Sequence, residues 1–265
     1  MPEREHEQMD AATGDLERIV GFNRSLEERC SERILSSFLA TALLCESLPL
    51  VWDRNYLRVE NGGVSAGELA SLADRVLGGA GLGHRRVFTD SAAIADRLAP
   101  QFASLGWETQ RLLVMTHNGR VEEETLPLVA EVEIEEMLPF WEEENRECFP
   151  DSDERVRQLT EQNKIVARSI DCRYFARRLD GRVVSGCQLY SRGGTAQIEA
   201  VGTLEEYRKR GLASSVVKRA LAESFRTGHD LVWILAEEDD WPKAAYAKLG
   251  FSPIGRFCAF RRGAS

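Results

Sequence analysis

Residues 196–214, AQIEAVGTLEEYRKRGLAS, pass from an apolar run through a basic loop into an amphipathic helix. Residues 196–203 read as a strand. Residues 211–226 read as a helix with Leu212, Val216, Val217, Ala220, Leu221 and Phe225 on one side. A buried strand follows at 231–236 and a short helix at 241–249, with Pro242 in its first turn. A helix N-terminus leaves backbone N–H groups unsatisfied and carries partial positive charge, so it can hold a phosphate where backbone approaches closely. Gly211 and Ala213 allow that approach, and Arg208, Lys209 and Arg210 set three cations beside it. The loop is neither a G-x-x-x-x-G-K-[ST] phosphate loop nor a G-x-G-x-x-G dinucleotide fingerprint.

The other segments suit an α/β sheet. Residues 1–13 are polar and expected as a disordered tail. Between 14 and 46, Leu16, Ile19, Val20, Ile34, Phe38, Leu39, Ala42 and Leu43 recur at three- and four-residue steps, which predicts helix. Extended stretches at 51–59, 86–88 and 107–115 alternate with helices at 65–77 and 91–105. From about Leu126 the order is strand 128–132, helices 133–146 and 151–168, and strands 172–179 and 183–190 joined by an Asp180-Gly181 turn. The chain has 34 Lys+Arg against 43 Asp+Glu, a net charge of −9, and 43% hydrophobic residues, a globular balance. No run approaches the ~18 uncharged apolar residues of a membrane span. Six scattered cysteines without a CxxC pair read as buried thiols, and four histidines lack metal-ligand spacing. Residues 121–154 hold fourteen carboxylates and one base, Arg146, a local charge of −13. That run is either a solvated face or a rim that draws cations to a nearby site.

The order strand, Arg208-x-x-Gly211-x-Ala213, helix, strand, Tyr246-x-x-x-Gly250-Phe251 resembles the GNAT superfamily of acetyl-CoA-dependent N-acetyltransferases, from about Val129 onward. The resemblance implies an α/β fold, a mixed sheet flanked by helices. It implies acetyl-CoA as co-substrate, no metal, and direct transfer of the acetyl group to a primary amine, small molecule or peptide, in a ternary complex. Val201, Gly202 and Thr203 would contact the pantetheine arm through their backbone. Arg208, Lys209, Arg210, Gly211, Leu212, Ala213 and Ser214 would hold the pyrophosphate. Tyr246 stands where the family has its proton donor, and a phenol with a pKa near 10 is protonated at neutral pH. Glu199 is the candidate base, with a water chain as the alternative; strand alternation puts Glu199 and Val201 on one face. The short run after Phe251 predicts residues 256–261 as the last strand of a very tight hairpin.

A shift of 144 residues lays Asp96 to Trp107 over Asp240 to Phe251, and Val87-Phe88 over Leu231-Val232. The first half therefore resembles a degenerate GNAT half-domain. The division reads as a tail at 1–13, an N-terminal domain at 14–120 and a catalytic domain at 121–265. Phe102 falls on Tyr246 without its hydroxyl, and Val64 to Leu69 falls on the phosphate motif without its arginine. Two rival functions remain: a non-catalytic acyl-CoA-binding or sensing protein, and a nucleic-acid- or partner-binding module that uses Arg208 to Arg210. Three adjacent bases in a net-negative chain are too few for the latter. The expectation is a cytoplasmic enzyme, monomer or homodimer, with no nucleic-acid or membrane partner.

Overall fold

The computed structural model describes residues 2–117, 119, 128–240 and 242–263. The first half supplies α1 (Pro2–Arg29), β1 (Arg33–Ser36), β2 (Ala40–Leu44), β3 (Tyr56–Val59), α2 (Ala66–Gly79), β4 (His84–Thr89), α3 (Ala92–Ser104) and β5 (Glu108–His117). The second half supplies β6 (Val129–Val132), α4 (Ile134–Cys148), α5 (Asp153–Ser169), β7 (Asp171–Leu179), β8 (Arg182–Arg192), β9 (Thr195–Thr203), α6 (Leu212–Arg226), β10 (Leu231–Glu237), α7 (Pro242–Lys248) and β11 (Phe251–Gly263). All eleven strands form one mixed sheet in the order β1-β2-β3-β4-β11-β5-β10-β9-β8-β7-β6. None of the described helices is long and apolar enough to cross a membrane.

Two expectations for the first segment are corrected. The polar start is helical from Pro2, as its Glu, Arg, Gln, Met and Ala content permits. The helix predicted over 14–46 stops at Arg29, and a hairpin takes over where the Glu32 N–H donates to the Leu44 carbonyl at 2.8 Å. The five residues of β2 are all buried. A short apolar run buried on both faces has no period of its own, and chance helical spacing of Ile34, Phe38 and Ala42 masked the turn.

The matched segments at a 144-residue shift are matched elements. β3-α2-β4-α3-β5 repeats as β9-α6-β10-α7-β11, and the two halves exchange their last strands. β5 pairs antiparallel with β10 of the second half, from Val232↔His117 to Glu237↔Leu112. β11 pairs antiparallel with β4 of the first half, from Cys258↔Thr89 to Gly263↔His84. The two exchanged strands lie against each other along their length, Phe251↔His117 to Arg261↔Glu108. The tight hairpin predicted at 256–261 is therefore absent. β11 is one long strand, and β5 fills the neighbouring place in the sheet.

Side-chain alternation along the exchanged strands joins three cores. Cys258 and Phe260 enter the first-half core with Leu98, Phe102 and Trp107. Met115 of β5 enters the second-half core with Val216, Val217 and Ile234. Val114, Phe257 and Ala259 face the other way, under Ile19, Phe22 and Leu26 of α1. Cys30, Cys45, Cys187 and Cys258 are buried free thiols, whereas Cys172 is half-buried and Cys148 exposed.

Candidate functional site

β9 and β10 run parallel only from Leu231↔Thr195 to Ile234↔Ile198. Beyond that pair β9 stays with β8 as far as Thr203↔Ser185, and β10 stays with β5. The two strands thus part at Glu199, leaving an opening through the sheet. β9 is also bulged there: its register against β8 slips between Gly186↔Gly202 and Gln188↔Glu199, and Ala200 takes a left-handed φ of 49°. The expected shared face of Glu199 and Val201 is corrected by this bulge. Glu199 and Ala200 line one cavity, while Val201, Gly202 and Thr203 line another.

The Val201 side is a cleft of about 700 Å³ running from the opening to the start of α6. Arg208, Lys209, Gly211, Leu212, Ala213 and Ser214 line it, as does Tyr246 of α7. Lys209 and Gly211 are both left-handed, with φ of 64° and 76°, which turns the chain sharply into the helix. Gly211 is the N-cap and offers no side chain to the first-turn N–H groups, so these donors remain for a ligand. The first half does the opposite. Ser65 and Glu68 close a capping box on α2 and the Ala66 N–H donates to Gln101 Oε1 at 3.1 Å, so two of its first-turn N–H groups are already taken. Arg210 does not line the cleft; its Nη2 donates to the Glu206 carbonyl at 3.0 Å. Arg208 is tied back by Nη2 to Glu147 Oε2 at 3.0 Å and by Nε to the Thr203 carbonyl at 3.0 Å.

Glu144 of α4 lies in this cleft against Gly202, where its carboxylate leaves no room for a Cβ, and it accepts the Thr203 N–H. Burial, with Glu147 close by, raises its pKa to about 7. Sequence reading placed Glu144 only within an acidic run. The rise of its pKa has a consequence for an anionic cofactor. The affinity of an anionic ligand in this cleft, tested with acetyl-CoA, should weaken as pH climbs through 7 and Glu144 ionises, and Glu144→Gln should flatten that dependence. Calorimetry at pH 6, 7 and 8 should show the variant binding about fivefold tighter than wild type at pH 8, about 1 kcal/mol. Equal pH profiles would remove Glu144 from the cofactor's path.

The rest of the described acidic run is largely ion-paired. Glu131 meets Arg173 at 2.6 Å, Glu142 meets Arg146 at 3.2 Å, Glu136 pairs with Arg178 and Glu143 with Arg182. Glu122, Glu123 and Glu124 lie outside the described residues, as do Trp241 and Leu126. None of the α4 carboxylates borders the cavity on the Glu199 side.

That second cavity, of about 390 Å³, lies under α1 and α5, across the sheet from α6 and α7. Both halves build it: Glu27, Asp53, Arg54 and Arg86 from the first, Gln197, Glu199 and Glu237 from the second. Burial raises the Glu199 pKa, opposed by hydrogen bonds from the Ala200 N–H and Gln197 and by the charge of Arg54. Tyr246 packs edge-on against Phe251 with ring centroids 6.2 Å apart. Burial, with the Glu199 charge, holds its phenol above the ordinary tyrosine range. Glu199 and Tyr246 thus act on each other electrostatically from opposite sides of the strand break. The contributions of α1, the Trp52–Arg54 turn and β4 escaped sequence reading; the paired Arg85 and Arg86 of strand 84–89 were the one local sign.

Residues 134–251 match the family model described as Acetyltransferase (GNAT) family. The second half belongs to the GNAT family. The whole chain has the fold of solved GNAT proteins. A GCN5-related N-acetyltransferase from Kribbella flavida is 18% identical, with 95% of each chain covered and a TM-score of 0.56. A tandem GNAT protein from the clavulanic acid biosynthesis pathway is 16% identical, covering 85% of this chain and 78% of that one, with a TM-score of 0.51. A functionally unknown protein from Staphylococcus epidermidis gives a TM-score of 0.64 at 14% identity, covering 89% and 95%. A search of the curated proteins found no match. Among the described residues no cluster of His, Cys, Asp or Glu could hold a metal ion. In this GNAT half, the uncapped α6 terminus and the cleft leading from it to the strand break fit an extended, phosphate-bearing cofactor.

Proposed function

We propose that the protein is an N-acetyltransferase that joins an acetyl group from acetyl-CoA to a primary amine within a ternary complex. One observation carries the reading. Two cavities, one with a phosphate-ready helix terminus and one with a half-buried carboxylate, meet from opposite faces at the same gap between β9 and β10. The α6 N–H groups from Leu212 to Ser214 would bind the pyrophosphate, and β9 backbone at Val201 to Thr203 would hold the pantetheine arm. Acetyl-CoA supplies an acyl group on a thiol leaving group. As the amide C–N bond forms and the C–S bond breaks, Glu199 takes the proton the amine gives up. Tyr246 donates a proton to the departing sulfur. The cavity walls keep amine and acyl group oriented.

Thiol release from acetyl-CoA with a panel of amines tests the reading, and cofactor binding without thiol release would select the sensing alternative. Gly211→Glu places a negative side chain at the proposed phosphate site. Acetyl-CoA affinity by calorimetry should fall at least tenfold, about 1.4 kcal/mol. Gly211→Asn, which tolerates a left-handed φ, should retain most of it and so separate charge from backbone strain. Unchanged affinity in a folded Gly211→Glu protein would sink the loop assignment.

A further inference from the structure

The cavity on the Glu199 side holds polar groups left over once its internal pairs are made. Most of its carboxylates are spent. Glu27 accepts from Arg58 Nη1 at 3.2 Å and from Asn23 Nδ2 at 2.8 Å. Glu237 accepts from Gln110, and the largely exposed Asp53 pairs with Arg86. The guanidiniums are only partly spent. Arg86 is only 6% exposed, yet its Nε has no hydrogen-bond partner. Arg54, among the described residues, makes one long hydrogen bond, Nε to Gln162 Oε1 at 3.4 Å. At the strand break, Gln197 donates through Nε2 to Glu199 Oε2 at 2.6 Å, while its own Oε1, on a side chain 3% exposed, accepts from nothing.

A buried donor or acceptor without a partner costs about 1–3 kcal/mol, so polar side chains with capacity to spare on a cavity wall favour a ligand that completes them. Gln197 lines this wall beside Glu199 at the break, and Arg54 and Arg86 line it from the first half. A guanidinium presents its donors as a planar fork that matches a carboxylate. We propose that the acceptor is a small amine that also carries a carboxylate, an amino-acid-class molecule, with its amine at Glu199 and Gln197 and its carboxylate at Arg54 and Arg86. The assignment rests on the acyl-transfer reading above. A volume of about 390 Å³ lies at the small end of ligand pockets and admits such a molecule rather than a peptide chain or an oligosaccharide. A polyamine would set further positive charge against Arg54 and Arg86. The cationic acceptor expected from the acidic run loses its basis, because no described carboxylate of that run borders this cavity. The first half, without a phosphate site of its own, supplies the specificity end of the acceptor pocket.

Matched amines provide the test. CoA release is followed with L-phenylalanine against phenethylamine, L-methionine against 3-(methylthio)propylamine, and L-lysine against cadaverine, with spermidine and phosphoethanolamine alongside. Calorimetry measures binding of the same compounds to the CoA-bound protein. In at least one pair the carboxylate-bearing member should have at least tenfold higher kcat/KM and bind more tightly than its decarboxylated partner. Arg54→Gln should abolish that preference and Arg54→Lys restore part of it, with the Kd for acetyl-CoA unchanged in both. Better turnover of the decarboxylated amines, spermidine or phosphoethanolamine would overturn the proposal while leaving the transferase standing. A preference that survives Arg54→Gln would also overturn it. Amino-acid binding with no thiol release from any compound would overturn the transferase and keep the pocket. Neither binding nor release across the panel would overturn both.

Discussion

Phe260→Ala should lower the free energy of unfolding by about 3–5 kcal/mol, the cost of deleting a fully buried aromatic side chain. Phe260 belongs to the second half by sequence, yet its ring is stacked on Phe102 of the first half, with centroids 4.3 Å apart and planes at 17°. It has no exposed surface. The loss should not be confined to the first-half core, because the same strand carries Phe257 and Ala259 into the core beneath α1. Far-ultraviolet dichroism and tryptophan fluorescence should report one coincident transition in denaturant for both wild type and variant. Phe38→Ala, at a side chain 80% exposed, should change stability by no more than about 0.5 kcal/mol. A Phe260→Ala cost below about 1 kcal/mol, or two separated transitions, would contradict the strand exchange.

Tyr246→Phe should reduce kcat roughly 100-fold, about 2.7 kcal/mol in the barrier, with the unfolding midpoint and the acetyl-CoA Kd held. The substitution removes one hydroxyl and keeps the ring that packs against Phe251. Because burial and Glu199 hold the phenol above the ordinary tyrosine range, Tyr246 stays protonated across the working pH. The acidic limb of the kcat/KM profile should instead follow Glu199, whose pKa burial raises. Activity should rise as that carboxyl loses its proton, with a midpoint above the ordinary glutamate value of about 4.3. Glu199→Gln should remove the limb. Full kcat in Tyr246→Phe would take the tyrosine out of the reaction, and an unchanged limb in Glu199→Gln would leave water as the base.

The cleft at the start of α6 was legible in the sequence because its signals are local. Gly211 can turn left-handed where a side chain would resist, and the amphipathic run after it fixes where the helix begins. Tyr246 and Phe251 follow at a spacing one short helix dictates. The cavity on the Glu199 side was not legible. It is assembled from several separate elements, and pairing between β5 and β10 leaves no mark in either strand's own pattern. The bulge at Ala200 gave no warning, since alanine rarely adopts a positive φ, and so simple alternation put Glu199 on the wrong wall. The buried strand β2 misled for the opposite reason: it is apolar throughout and carries no period to read. The Phe102-Leu105-Gly106-Trp107 repeat was legible as a copy, but nothing in it announced that the copies trade strands.

That trade changes the order in which the molecule can be made. A ribosome delivers α2, β4 and α3 well before β11, so Leu98, Phe102 and Trp107 must wait uncovered until Cys258 and Phe260 emerge. The two copies therefore cannot mature one after the other as beads on a string. Each is the template on which the other finishes, and the long span between β4 and its neighbour β11 makes closure a late, non-local event. Two copies of one element order are in this way made indivisible. A lesion that stops either copy from folding should strand its sibling too, and neither can be lifted into another protein as a module.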